Sequence, residues 1–119
     1  MSPEATESFP PEWLPAPELV EQAVQFAIQL TTPSRIYLYP AWDGDDATCE
    51  SDLNMAILMP SMLAARMAEM RRALKAQLEE LPMQVEVLMA TEEFAQQRFN
   101  HPGSVFYHLF REGRMVYQQ

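Results

Sequence analysis

The sequence predicts an α+β domain in which a small mixed β-sheet carries helices on one face. Three observations predict it. Short apolar runs at residues 35–39, 53–59 and 84–89 have strand length and are bounded by turn-forming residues. Apolar residues recur at helical spacing in 18–30 and 61–81. The order helix, strand, strand, helix, strand, helix then suggests one small mixed sheet with a helical layer.

Each element has its own signals. Residues 1–17 hold five prolines (Pro3, Pro10, Pro11, Pro15, Pro17) and read as an irregular, partly disordered acidic leader; 18–119 read as the domain. Phe9, Trp13 and Leu14 are too apolar to stay in water, so part of the leader is expected to pack. Leu19, Val20, Ala23, Val24, Ala27 and Leu30 mark the first helix, closed by Pro33. Ser61 is expected to cap a long helix with an inner face of Leu63, Met67, Met70, Leu74, Leu78 and Leu81, stopped by Pro82. Thr91 is expected to cap a short helix whose first turn carries Glu92 and Glu93, favourable against the helix dipole. A last helix is expected from near Pro102 to Gly113.

Composition narrows the function classes. A chain of 119 residues makes one domain, and 48% hydrophobic with 21% charged residues is ordinary for a globular protein. Cys49 stands alone, which excludes an internal disulfide and fits a reducing cytosol. No apolar run reaches the roughly 18 residues of a membrane span, and the N-terminus has no signal-like pattern. A soluble cytoplasmic protein is the expectation. One basic residue (Arg35) against ten acids gives residues 1–60 a charge of −9, whereas 61–119 balance. Such an acidic half argues against nucleic acid and for a basic protein surface, or serves solubility alone. Nine methionines suit a core or a contact surface that adapts its shape.

Chemistry concentrates between Arg35 and Met59. Period-2 alternation sends Asp52, Asn54 and Ala56 to one face of their strand. One carboxylate and one carboxamide thus stand where a two-metal phosphoryl-transfer site keeps two carboxylates. Asp52 reads equally as a strand-start cap, and Glu86 equally as a plain surface residue.

The spacing resembles the minimal nucleotidyltransferases of the DNA polymerase beta superfamily, above all the MNT subgroup. That family shows an apolar strand, Gly-Ser, about ten residues, Asp-x-Asp on the next strand, and a third acid later. Here Pro40-Ala41 stand for Gly-Ser, Asp52-Leu53-Asn54 for Asp-x-Asp, and Glu86 for the third acid. The C-terminal run from Pro102 to Tyr117 is also similar, so the likeness covers about residues 18–117. It implies the nucleotidyltransferase fold, with Asp52, Asn54 and Glu86 as the family's catalytic positions and Pro40 and Ala41 as its nucleotide-binding positions. Metal ligands would be Asp52 and Glu86, if any.

The departures imply impairment. Asn54 cannot supply the second charge, and magnesium gives up its waters reluctantly. Pro40 has no N–H and Ala41 no hydroxyl, so a phosphate cradle loses a donor at each, on the order of 1.5–3 kcal/mol apiece when charge-assisted. Five acids between Asp43 and Asp52, with no Lys or Arg, would repel a triphosphate. ATP binding is therefore doubtful, with no cofactor expected, or Mg if the chain is active.

Other candidates read as structure. The Asp43 loop fails the EF-hand register, with Thr48 at the sixth and Asn54 at the twelfth position. Cys49 has no basic neighbour to activate it. His101 and His108 lie two helical turns apart without a third ligand, and Arg71, Arg72 and Lys75 read as a solvated face. Two function classes follow from the resemblance. One is a pseudoenzyme acting as antitoxin-like partner of a HEPN-type, ribonuclease-like toxin, with no nucleic-acid or membrane partner and an oligomer possible. The other is an active Mg-dependent enzyme transferring AMP from ATP to a protein tyrosine, with Asp46 as a further ligand.

Overall fold

The computed structural model describes residues 13–40 and 52–119. Its elements are α1 (Pro17–Leu30), β1 (Arg35–Tyr39), β2 (Leu53–Met59), α2 (Ala64–Leu78), β3 (Val85–Thr91), α3 (Glu92–Gln96), α4 (Val105–Glu112) and β4 (Arg114–Gln118). The strands form one mixed sheet in the order β3-β2-β1-β4. β1 runs antiparallel to both β2 and β4, while β2 and β3 are parallel. This is the α+β class with a mixed sheet, as expected.

Helices cover both faces of the sheet, which corrects the expected single layer. Leu53, Met55, Ile57 and Met59 of β2 pack with Ala23, Val24 and Ala27 of α1 and Leu74 and Leu78 of α2. The alternate residues Ala56 and Leu58 pack with Ala95 of α3 and Phe106 and Leu109 of α4. Every residue of β2 is consequently buried. Its composition already carries that signal: LNMAILM is nearly continuous apolar, the mark of a strand buried on both faces.

Local chemistry sets the boundaries. Pro17 starts α1 at a position whose N–H would be unpaired anyway. Thr31 ends it: its hydroxyl and its N–H both donate to the Ala27 carbonyl, at 2.7 and 3.1 Å. Trp13 and Leu14 are half-buried against the same core, as their apolarity demanded; Phe9 lies outside the described residues. α2 starts later than expected. Leu63, not Ser61, occupies the N-cap without a side-chain bond, and Leu63 is 79% exposed instead of facing inward. Thr91 caps α3 as expected, accepting from the Phe94 N–H at 3.1 Å. Ser104 does the same for α4, accepting from the Phe106 N–H at 3.1 Å.

β4 is a strand beyond the last element expected from the sequence. It follows Gly113, whose Cα approaches backbone so closely that an added Cβ would lie 2.5 Å from the Leu109 carbonyl oxygen and 3.0 Å from that of Leu38. Both sheet edges are blunted, as edge strands must be to avoid pairing with other chains. β4 carries a register shift opposite Ile36 and Tyr37. At β3, Arg71 reaches over the edge to the Val87 carbonyl at 3.3 and 3.4 Å, so Arg71 is half-buried and not the solvated residue expected.

A clamp joins the far end of the sheet to α3. Arg35 donates from Nε and Nη2 to the two oxygens of Glu92, at 2.9 and 2.7 Å, in a bidentate pair. Ser34 donates to Glu92 at 2.6 Å, and Arg35 Nη1 donates to the Tyr37 hydroxyl at 2.8 Å. The guanidinium holds the Glu92 carboxyl below its ordinary pKa, with help from the Ser34 hydroxyl and against partial burial.

Candidate functional site

Asn54, Glu86 and Tyr39 form one row across three strands. The register pairs Asn54 of β2 with Tyr39 of β1 on one side and with Glu86 of β3 on the other. Neighbouring strands lie about 4.8 Å apart, so these three side chains adjoin. They share the face that α3 and α4 cover farther along, since Ala56 and Leu58 continue the same row. Two of the three predicted catalytic positions are thus direct neighbours, although 31 residues separate them in sequence.

Asn54 is the anomaly in the row. It is 4% exposed, and its Oδ1 is a fully buried acceptor without a hydrogen-bond partner among the described residues. Leaving such an atom unpaired costs about 1–3 kcal/mol. Tyr39 beside it is also 4% exposed, and Glu86 is half-buried.

Asp52 is arranged differently. It is exposed, precedes β2, and accepts from the Gln84 N–H through Oδ2 at 2.8 Å. Its own N–H donates to the Gln84 carbonyl at 2.9 Å. Asp52 therefore ties the starts of β2 and β3 together, which is the strand-start cap weighed for it. One of its oxygens is committed to that role. Pro40 follows β1 at the same end of the sheet and is half-buried. Ala41, Asp43, Asp45, Asp46, Cys49 and Glu50 lie outside the described residues.

Glu86 also borders a hollow of about 410 Å³ on the outer side of β3, shared with Lys75, Glu79 and Gln84 over a floor of Leu78, Met83 and Val85. Sequence reasoning left Lys75 in solvent; the turn of α2 nearest its end brings it to the hollow. Lys75 and Gln84 carry no motif that would single them out. Tyr39 was legible only as a strand residue.

The donor set is poor for two divalent ions. Asp52 shares an oxygen with Gln84, Asn54 is neutral, and among the described residues only Glu86 supplies another carboxylate to the row. Among the described residues no group of three or more His, Cys, Asp or Glu comes together. His108 donates from Nε2 to the Pro102 carbonyl at 3.2 Å, and its Nδ1 lies 3.6 Å from Glu112, a structural setting. The methionines are mostly interior: Met55 and Met59 are fully buried, and Met62, Met67, Met70, Met83 and Met89 pack on the core. Met115, 45% exposed, is the one described methionine on the surface, so a Met-rich contact face is not present among the described residues. No described helix is long and apolar enough to cross a membrane.

Comparison with protein-family models, with curated proteins and with solved structures finds no match for this chain.

Proposed function

We propose that this chain is a degenerate nucleotidyltransferase-like protein that works as the antitoxin-like binding partner of a HEPN-type, ribonuclease-like toxin. The observation that carries the reading is the neighbouring pair Asn54 and Glu86 in the parallel β2–β3 register, at the sheet end where Pro40 leaves β1. The adjacency of two positions so far apart in sequence supports that reading. The order of a helix, two antiparallel strands, a helix and a parallel third strand is consistent with that reading. Impairment is supported by the residues themselves. A carboxamide replaces the central acid, Asp52 is engaged by Gln84, and Pro40 offers no N–H to a phosphate.

A second reading is kept by one observation. The buried Oδ1 of Asn54, unpartnered among the described residues, is an acceptor open to a donor or cation. Under that reading the chain transfers AMP from ATP to a protein tyrosine, the phenolic oxygen bonding to the α-phosphorus as pyrophosphate leaves. Asp52 and Glu86 would be the residues to hold magnesium, which would supply charge stabilisation at the phosphates.

The test is thermal unfolding with and without millimolar Mg-ATP, for the native chain and for the combined variant Pro40→Gly, Ala41→Ser, Asn54→Asp. Ligand at about a hundred times its dissociation constant adds roughly 2.7 kcal/mol, or about 11 °C at about 4 °C per kcal/mol. The proposal expects a shift in the variant and none in the native chain. A magnesium-dependent shift in the native chain would favour the enzyme. No shift in either would count against the nucleotidyltransferase reading itself.

A further inference from the structure

A second surface lies on α3, α4 and their connection, between Glu92 and Glu93 at one end and Glu112 at the other. Residues 94–111 contain no acid, in a chain of net charge −9. They hold two arginines, two histidines, four phenylalanines and a tyrosine. The Arg98 guanidinium stacks on the Phe94 ring at 3.6 Å, and that of Arg111 on the Tyr107 ring at 3.8 Å. Arg111 also donates to the Phe99 carbonyl at 2.8 Å, which joins the two stacks into one platform. Phe94 and Phe99 remain 43% and 40% exposed. Beside them opens a shallow hollow of about 580 Å³ lined by Gln97, Arg98, His101, Gly103 and Ser104.

The chemistry of this platform is that of a recognition surface. An arginine flattened on an aromatic ring loses little further freedom on binding and keeps N–H edges for a planar anion. Among the described residues neither Arg98 nor Arg111 stands in an ion pair. Exposed phenylalanines next to arginines, with no Lys, Glu or Asp between Glu93 and Glu112, match the residues that dominate protein interfaces. We propose that the Phe94–Arg98–Phe99–Arg111 platform docks an acidic segment of a partner protein, its carboxylates on the guanidinium edges and an aromatic or large aliphatic side chain against Phe99. A protein segment is favoured over nucleic acid by charge. A chain of −9 repels a polyphosphate at long range, whereas a short acidic segment brings few charges and gains from its apolar anchor. This inference does not rest on the nucleotidyltransferase reading, because the platform shares no residue with the Asn54 row.

The test uses the full chain and a fluorescein-labelled Gly-Ser peptide that carries one Glu on each side of a central Trp. Controls are the same peptide with Ala for Trp and an oligouridylate of equal length. Fluorescence anisotropy is expected to give saturable binding of the Trp peptide, weakened at least about tenfold by Arg98→Glu and several-fold by Phe99→Ser. Arg98→Gln should fall between native and Arg98→Glu, with thermal midpoints close to native showing that the variants are folded. Absence of saturable binding, or binding indifferent to Arg98→Glu in a folded variant, overturns the proposal. Tighter binding of the oligouridylate overturns it in favour of nucleic acid. Self-association in sedimentation that Arg98→Glu abolishes overturns it in favour of a second copy.

Discussion

Replacing Asn54 by Asp tests the central argument about the site. The side chain is 4% exposed, and its Oδ1 already lacks a partner among the described residues. A carboxylate there would be buried, with a second carboxylate, Glu86, on the next strand and no cation among the described residues that line the row. An uncompensated buried charge costs about 3 kcal/mol or more. For a domain of this size about 1 kcal/mol moves the midpoint by about 4 °C, so Asn54→Asp is expected to unfold about 12 °C below the native chain near pH 7.5. The sign of the pH dependence follows from burial. The new carboxyl has its folded-state pKa raised above the unfolded value. Its penalty is therefore absent below the unfolded pKa of about 3.9, grows as pH rises above that value, and is complete once pH exceeds the raised one. Differential scanning fluorimetry from pH 4 to 8 should show the gap to the native chain closing at the acid end. Millimolar magnesium should narrow the gap in the variant while leaving the native midpoint unchanged. A variant as stable as the native chain at pH 7.5 without metal would refute the reasoning, because the Asn54 environment would then solvate a charge.

The Arg35–Glu92 clamp predicts an acid-side loss of stability. Glu92 has its pKa lowered from 4.5, first by the hydrogen bond from Arg35, so its contribution is present above that value and is lost as pH falls through the lower folded one. Glu92→Gln should cost about 1 kcal/mol at neutral pH, screened because both side chains are partly exposed, and should show a flatter acid limb in a pH series of urea melts. Gly113→Ala meets the Leu109 and Leu38 carbonyl oxygens, backbone atoms that cannot turn aside, and should cost about 2 kcal/mol in the same assay. Thr91→Ala removes the cap from the Phe94 N–H and should cost about 1 kcal/mol, raising hydrogen exchange at Phe94 first.

Much of the fold was legible because hydrophobic period and turn chemistry agree over most of the chain. The short apolar run of β1 placed that strand, and the capping threonine placed the start of α3. The two-faced sheet was not read, although β2 offered the cue: Asn54 and Asp52 drew the eye to alternation, while the other residues of LNMAILM are apolar on both faces. β4 was missed because the bulge breaks its alternation, so neither a strand nor a helix period stands out. The late start of α2 follows from Met62 and Leu63, which extend the apolar period without joining the core equally: Met62 packs, whereas Leu63 is exposed. At the candidate site, the neighbourhood of Asn54 and Glu86 was legible as motif order. The role of Asp52 was not decidable, since a capping carboxylate and a metal ligand look alike in sequence.

Charge separates the chain into parts that sequence halves do not describe. All eight basic side chains lie among the described residues, together with ten of the seventeen acids. The other seven acids (Glu4, Glu7, Glu12, Asp43, Asp45, Asp46 and Glu50) fall in residues 1–12 and 41–51, which contain no Lys or Arg. The described framework is thus close to neutral, and most of the net charge belongs to the two segments that flank it. Electrostatic attraction of a basic partner would therefore act through those segments, and mainly on the rate of encounter. Converting Asp43, Asp45, Asp46 and Glu50 to their amides removes four of the seven charges. Association with a basic ribonuclease-like partner, followed by stopped-flow fluorescence, should slow about tenfold at low salt and converge with the native rate at high salt. The thermal midpoint should stay near native. An unchanged association rate at low salt would mean that the acidic excess does not steer this partner and serves solubility instead.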